Sequence, residues 1–141
     1  MQDDALVARI AQSFARQAMM ATLGARLVEV GPGRAVIELP LAPHLGQQQG
    51  WAHAGATFAI GDSAAGYAAL SLMPAEQEVV TIEMKINLLA PAVGDRLLAE
   101  GRVVRAGRRV SVVTAEVFAE RDGARKAVAL LQGTTTAVPA G

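Results

Sequence analysis

The chain has 141 residues, the length of one ordinary domain, with 52% hydrophobic residues and thirteen basic residues that balance thirteen acidic ones. This balance removes the general attraction to phosphate backbones that a nucleic-acid binder carries, and the absence of cysteine excludes disulfides, thiolate zinc sites and a cysteine nucleophile. No signal-peptide pattern occurs in residues 1–20, and no apolar run could span a bilayer. We therefore expect one cytoplasmic domain, residues 1–141, that binds neither nucleic acid nor membranes.

The N-terminal part of the chain predicts an amphipathic helix followed by a β-hairpin. Asp3 or Asp4 can cap the helix, whose apolar residues recur every three or four positions over about residues 3–20. Two short strands, 25–30 and 34–39, flank a Gly-Pro-Gly turn. A glycine-containing polar loop then leads to the middle of the chain.

The small-residue segment 54–72 predicts one long central helix. Its alanine content favours a helix, its length exceeds that of an ordinary strand, and Met73-Pro74 would end it. Gly61 and Gly66 weaken a helix intrinsically, so their presence indicates close packing against another surface.

The C-terminal half predicts strands joined by tight turns. An apolar and polar alternation runs through 80–88, with one set of residues expected on the buried face (Val80, Ile82, Met84, Ile86, Leu88) and the other on the polar face (Thr81, Glu83, Lys85, Asn87). Strands at about 96–105, 110–120 and 126–137 follow, with a frayed tail at 138–141. Successive hairpins imply an α+β fold in which an antiparallel sheet wraps the central helix.

Asp62 is the acidic residue of the central helix, and small residues surround it at helical spacing. A carboxylate in such surroundings, with access for water, is suited to act as a general base. The alternative is a structural aspartate that is satisfied by Ser63 or by an arginine.

The start of the central helix is the second candidate feature. His53 occupies the expected N-cap position, and free amides at Ala54, Gly55 and Ala56 could stabilise an oxyanion, although every helix has such an end. Ala54 and Asp62 are eight residues apart, or about 12 Å along a helix. One ester or thioester carbonyl cannot easily touch both, so the arrangement expected for joint action is two antiparallel helices from two subunits.

Two sequence runs carry a resemblance to a known family. They are the run His53-Ala54-Gly55-Ala56-Thr57-Phe58-Ala59-Ile60-Gly61-Asp62 and the run Val80-Thr81-Ile82-Glu83-Met84-Lys85-Ile86-Asn87-Leu88-Leu89-Ala90-Pro91, followed by the strand pair around 101–113. The first resembles the His-Gly-Gly motif of PaaI-like hotdog thioesterases, in the 4-hydroxybenzoyl-CoA thioesterase superfamily, in which an aspartate follows the histidine by nine residues. The resemblance covers about residues 20–137 and implies a hotdog fold.

The resemblance implies roles for particular residues of this chain. Asp62 would activate water or attack the thioester, the amide of Ala54 beside His53 and Gly55 would hold the carbonyl oxygen, and Thr81 of the Asp62 subunit would position the water. Ala54 departs from the usual glycine of the family. The family's loop asparagine corresponds to Gln47, with Gln49 as a rival and Gln48 between them, and all three could be solvated loop residues.

The resemblance also implies a site for the phosphates of CoA. It falls on the turn formed by Arg105, Gly107, Arg108 and Arg109, because arginine suits phosphate geometry, although a solvated basic turn is the alternative. Lys85 and Asn87 on the polar face of the strand are weaker candidates.

The favoured function is hydrolysis of an aryl- or medium-chain acyl-CoA by a homodimer with active sites at its interface, and we expect these dimers to pair into a homotetramer. A non-catalytic acyl-CoA binding module and a hotdog enoyl-CoA hydratase or dehydratase remain as alternatives. No cofactor or metal is expected, because the only two histidines, His44 and His53, have no cysteine or close acidic partner. No Gly-x-Ser-x-Gly elbow indicates a serine hydrolase.

Overall fold

The small-residue segment in the middle of the chain folds as the helix around which the sheet curves. The computed structural model describes residues 3–141. Its helices are α1 (Asp4–Ala15), α2 (Ala18–Leu23) and α3 (Ala54–Leu70), and a 3-10 turn spans Pro43–Leu45. Its strands are β1 (Arg26–Gly31), β2 (Arg34–Pro40), β3 (Gln77–Leu88), β4 (Arg96–Ala106), β5 (Val110–Arg121) and β6 (Ala124–Pro139).

The strands form one six-stranded sheet in the order β1-β2-β4-β5-β6-β3, and every neighbouring pair is antiparallel. The concave face of this sheet holds α3, whose side chains at Ile60, Ala64, Ala68 and Leu70 are fully buried. A helix that is apolar on nearly all sides needs such cover. The predicted α+β arrangement, an antiparallel sheet wrapped around a long helix, is therefore confirmed.

Two glycines mark where α3 lies closest to the sheet. A Cβ atom on Gly101 of β4 would overlap the carbonyl group of Ala64, so only glycine fits at this crossing. A Cβ atom on Gly61 would lie 2.8 Å from a methyl carbon of Leu131, as the predicted close packing requires. Gly66 has more space, since its nearest neighbour would be Val79 at 4.0 Å, and its predicted close packing is not observed.

The predicted N-terminal helix is interrupted. Asp3 caps α1 through its side chain, as expected, but α1 ends at Ala15, and α2 begins only at Ala18. Gln17 between them has an extended backbone, with φ −84° and ψ 92°. This break turns the side chain of Gln17 towards α3, which periodicity alone cannot indicate.

The ends of two other elements also differ from prediction. The central helix stops at Leu70 rather than 72, because the side chain of Ser71 donates to the Ala68 carbonyl at 2.6 Å and accepts from the Gly33 amide at 2.8 Å. The predicted frayed tail is paired instead. Val138 lies opposite Glu78 in the sheet, and the amide of residue 140 donates to the carbonyl of residue 76 at 2.8 Å.

A β-bulge reverses the predicted faces of β3. Thr81 pairs with Thr135, and Glu83 pairs with Thr134, so that Ile82 is an extra residue in this strand. Val80 and Ile82, predicted to be buried, are 47% and 57% exposed. Thr81, predicted on the polar face, instead faces α3.

Only the later part of β3 keeps the predicted alternation. Met84 and Ile86 pack against the core, whereas Leu88 at the end of the strand is 57% exposed rather than buried. Because side-chain direction has a period of two, a single extra residue changes which side chains point inward.

The N-terminal helix is tied to the far end of α3. The guanidinium of Arg9 donates to the carbonyls of Met73, Pro74 and Gln77 at 2.6–2.9 Å. Met73 and Pro74 lie in the connection between α3 and β3, and Gln77 begins β3, so this side chain fastens α1 to the start of the edge strand β3. Within residues 3–141, no helix is long and apolar enough to cross a membrane.

We expect Gly101→Ala to lower the free energy of unfolding by about 3 kcal/mol, because the added methyl group forces α3 away from β4. Urea denaturation measures this change. Gly31→Ala is the matched control, since a Cβ atom there meets nothing within 4 Å. Equal stability of the two variants would contradict the close approach of α3 and β4.

Candidate active site

Asp62 projects from the middle of α3, on the side that the sheet leaves open. It is half-buried, and Thr81 of β3 donates a hydrogen bond from Oγ1 to Asp62 Oδ1 at 2.8 Å. No other hydrogen bond or ion pair reaches this carboxylate from residues 3–141. One carboxylate oxygen is therefore oriented by a hydroxyl, and the other is available to a ligand.

The structure does not support a purely structural role in which Ser63 or an arginine satisfies Asp62. Ser63 Oγ donates instead to Gln17 Oε1 at 3.0 Å. The nearest cation on the cavity wall, Arg16, is exposed and makes no ion pair with a described residue. Asp62 is thus held by one neutral donor alone.

A cavity of about 520 Å³ opens beside Asp62. Three elements line it: α1 with the α1–α2 break, α3 and β3. The lining residues outside α3 are Ser13, Arg16, Gln17, Glu78, Val79, Val80 and Thr81. The cavity is large enough for an acyl group, and Asp62, whose second carboxylate oxygen is free, is part of its lining.

The start of α3 presents one free amide. His53 is the N-cap, as predicted, and its Nδ1 accepts from the Gly55 amide at 2.8 Å. The Ala56 amide donates to the His53 carbonyl at 3.0 Å. The expectation of three free amides is therefore wrong: Gly55 and Ala56 are engaged within the cap, and the Ala54 amide alone has no partner among residues 3–141.

A second cavity, of about 370 Å³, lies at this helix start. Ala54 and Gln47 both line it, together with the apolar side chains of Trp51, Leu89 and Val128. Gln47 is half-buried and bonds to Gln49, which is exposed: Gln47 Nε2 donates to Gln49 Oε1 at 3.1 Å, and the Gln49 amide donates to Gln47 Oε1. Gln47 therefore reaches the cavity at Ala54, and Gln49 orients it.

The two cavities are separate within one chain. Asp62 lies two turns beyond Ala54, or about 12 Å along α3. No residue lines both cavities. Within residues 3–141 of a single protomer, the free amide and the carboxylate cannot contact the same thioester.

The predicted CoA-binding residues fall into two groups. Arg105, Gly107, Arg108 and Arg109 lie together at the exposed turn between β4 and β5, where the Gly107 amide donates to the carbonyl of residue 110 at 2.9 Å. Lys85 and Asn87 lie elsewhere, in a cleft on the outer face of the sheet. The structure does not bring these two groups together within one chain.

Sequence reasoning missed one part of the site. Gln17 and Tyr67 line the cavity beside Asp62, and Gln17 Nε2 donates to Tyr67 Oη at 3.1 Å. The signal was hidden because the apolar pattern of α1 and α2 reads as one helix, in which Gln17 is an ordinary polar position.

Among residues 3–141, no three His, Cys, Asp or Glu side chains form a cluster suited to a metal ion.

A family model and a relative found by sequence both match this chain over more than half of its length. The family model of the thioesterase superfamily matches residues 49–125, more than half of the chain. A Saccharolobus solfataricus protein, whose name assigns it provisionally as an esterase, is 36% identical over 101 residues, which are 72% of this chain and 71% of that protein.

Solved structures share the fold over nearly the whole chain. A thioesterase family protein from Silicibacter pomeroyi is 44% identical, with a TM-score of 0.93 over 96% of this chain and 99% of that one. The E. coli PaaI protein of the phenylacetic acid degradation operon is 23% identical, with a TM-score of 0.85 over 94% of this chain and 93% of that one. The predicted hotdog fold is confirmed, and the chain belongs to the thioesterase superfamily.

Proposed function

We propose that this thioester hydrolase acts on acyl-CoA thioesters with aryl or medium-chain acyl groups and releases the free acid and CoA. The observation that carries the proposal is the carboxylate of Asp62, which is held by Thr81 at 2.8 Å and has one oxygen open to a cavity. Membership of the thioesterase superfamily supports hydrolysis. The apolar lining of the cavity at Ala54 and the size of the cavity beside Asp62 support an acyl substrate.

The chemistry follows from a carboxylate and one amide donor. As a general base, Asp62 takes a proton from water while the water oxygen bonds to the thioester carbon; the C–S bond then breaks, and the proton passes to the sulfur of CoA. As a nucleophile, Asp62 would attack the thioester carbon, the C–S bond would break to release CoA as its thiolate, and water would hydrolyse the resulting mixed anhydride to the free acid and the regenerated carboxylate. In both routes Thr81 orients the carboxylate, and the free amide of Ala54 stabilises the oxyanion.

A homodimer completes each site in this proposal. The central helices of two protomers would lie antiparallel, so that Ala54 of one approaches Asp62 of the other. The edge strand β3 supports such pairing, because Val80, Ile82 and Leu88 are about half exposed and no other strand of the described part of the chain pairs with its outer edge. Further exposed apolar side chains at Val104 and Val110 support pairing of dimers into a tetramer.

The β4–β5 turn is the proposed site for the phosphates of CoA. The guanidinium groups of Arg105, Arg108 and Arg109 are exposed and make no ion pair with a described residue. They can therefore bind phosphate oxygens through paired hydrogen bonds. Lys85 and Asn87, on a different part of the sheet, are assigned a secondary role at most.

We expect Asp62→Asn to reduce thiol release from acyl-CoA at least about 100-fold, because the amide cannot accept the proton of water or attack the thioester. Detection of free thiol in a spectrophotometric assay measures the loss. Asp122→Asn is the matched control, since Asp122 lies in an exposed turn with φ 50°, a conformation that asparagine tolerates. Full activity of Asp62→Asn would contradict the assignment.

Removal of the hydroxyl at Thr81 tests the orientation of the carboxylate. We expect Thr81→Ala to lower kcat about tenfold, because Asp62 loses its only described donor and samples other rotamers. Thr81→Ser keeps the hydroxyl and should retain most of the activity. If serine and alanine at this position behaved alike, the hydrogen bond would have no part in catalysis.

Ala54→Pro tests the oxyanion donor, because proline is well tolerated at the first position of a helix and carries a ring carbon in place of the amide hydrogen. We expect thiol release to fall about 100-fold with little change in Tm. Mixing this variant with Asp62→Asn under subunit exchange should restore about a quarter of wild-type activity, since half of the dimers would then hold one intact site. No recovery, with exchange verified by mass spectrometry, would exclude a site shared between subunits.

A further inference from the structure

The break between α1 and α2 forms one wall of the cavity beside Asp62. The extended backbone of Gln17 directs its side chain into the gap between α1 and α3. Ser13 and Arg16 precede it on the same wall, and Arg16 is exposed at the cavity mouth. The N-terminal helices therefore contribute directly to the shape of the cavity.

Both polar atoms of the Gln17 side-chain amide, its oxygen and its nitrogen, form hydrogen bonds. Gln17 Oε1 accepts from Ser63 Oγ at 3.0 Å, and Gln17 Nε2 donates to Tyr67 Oη at 3.1 Å. Ser13 Oγ lies 3.2 Å from the same Tyr67 oxygen. Because these partners are half-buried or buried, the side chain of Gln17 has one preferred position and forms a rigid wall.

Gln17 at the α1–α2 break and the first part of β3 line the same cavity beside Asp62. The arginine turn lies outside this cavity, with β6 between it and β3, because the Arg109 carbonyl accepts from Thr136 Oγ1 and the Ala137 amide of β6, and these two residues pair with Val80 and Val79. The phosphates of a CoA moiety bound at that turn therefore stay outside the cavity. The acyl group is then the part of the substrate that enters the cavity to reach Asp62, where it meets Gln17.

We propose that Gln17 is a specificity-determining residue, which closes the α1 side of the acyl pocket and so limits the width of the acyl group that reaches Asp62. The inference rests on the proposed thioesterase function and adds a substrate limit to it. Narrow acyl groups, linear or with a single ring, fit between the wall and β3. Acyl groups with fused rings meet the side chain of Gln17.

The test is a selectivity ratio, because a purely structural role would alter all substrates alike. We expect Gln17→Ala to raise the ratio of kcat/KM for 2-naphthoyl-CoA to kcat/KM for butanoyl-CoA about tenfold, since a pocket enlarged by several atoms admits the second ring. Gln12→Ala is the matched control: Gln12 lies on α1, is exposed and makes no described side-chain contact. Its ratio should equal that of the wild type.

Two further variants separate pocket width from helix anchoring. Gln17→Met keeps the bulk but loses the hydrogen bonds, so its ratio should stay within about twofold of the wild type even if Tm falls. Gln17→Asn keeps the amide, shortens the side chain by one carbon and should raise the ratio less than alanine. If Gln17→Ala does not fold, the selectivity ratio is measured with Gln17→Asn instead.

The inference is overturned if kcat/KM falls by the same factor for both substrates in the shortened variants, or if methionine changes the ratio as much as alanine does. These failures are distinct from failure of the proposed function. Loss of thiol release in Asp62→Asn together with an unchanged ratio in Gln17→Ala would leave the hydrolase assignment intact and remove only the role of Gln17. A wild-type protein that releases no thiol from either substrate would remove both.

Discussion

The close contact of α3 with β4 is the constraint on which the rest of this structure depends. Where Gly101 crosses Ala64, backbone meets backbone, and no side chain separates helix from sheet. The sheet can therefore curve tightly around the helix and cover nearly all of its surface. Within residues 3–141, α3 keeps one partly exposed strip, which includes Gly55, Phe58, Ala59 and Asp62. The position of the carboxylate is a result of how closely the helix is packed.

The candidate site depends equally on an irregularity of the sheet. A regular β3 would point Thr81 away from α3 and leave Asp62 without a donor. The extra residue at Ile82 reverses the faces of the first half of the strand and brings the hydroxyl within 2.8 Å of the carboxylate. The same bulge leaves Val80 and Ile82 exposed on the edge strand. One local insertion thus shapes both the site and the surface proposed for dimer contact.

Much of this architecture could be predicted from the sequence, and the features that could not be predicted share one cause. The central helix, its cap at His53, the order of the elements along the chain and the α+β class follow from local composition and period, whereas the pairing of β3 with β6 and of β4 with β2 does not. The helix break before Gln17 and the bulge at Ile82 do not, because each is stabilised by contacts with α3 that are distant in sequence. Asp62 was recognisable as an acid among small residues, whereas Gln17 resembled any polar helix position.

The cap at His53 has a consequence for how this helix start can vary. By engaging the amides of Gly55 and Ala56, the cap leaves a single main-chain donor, which belongs to Ala54. A main-chain group is present whatever the side chain, so the oxyanion role proposed for this amide is compatible with any residue at position 54 except an imino acid. The side chain at position 54 can therefore vary in size and so change the volume of the neighbouring cavity. A residue other than glycine there alters the pocket without altering the donor.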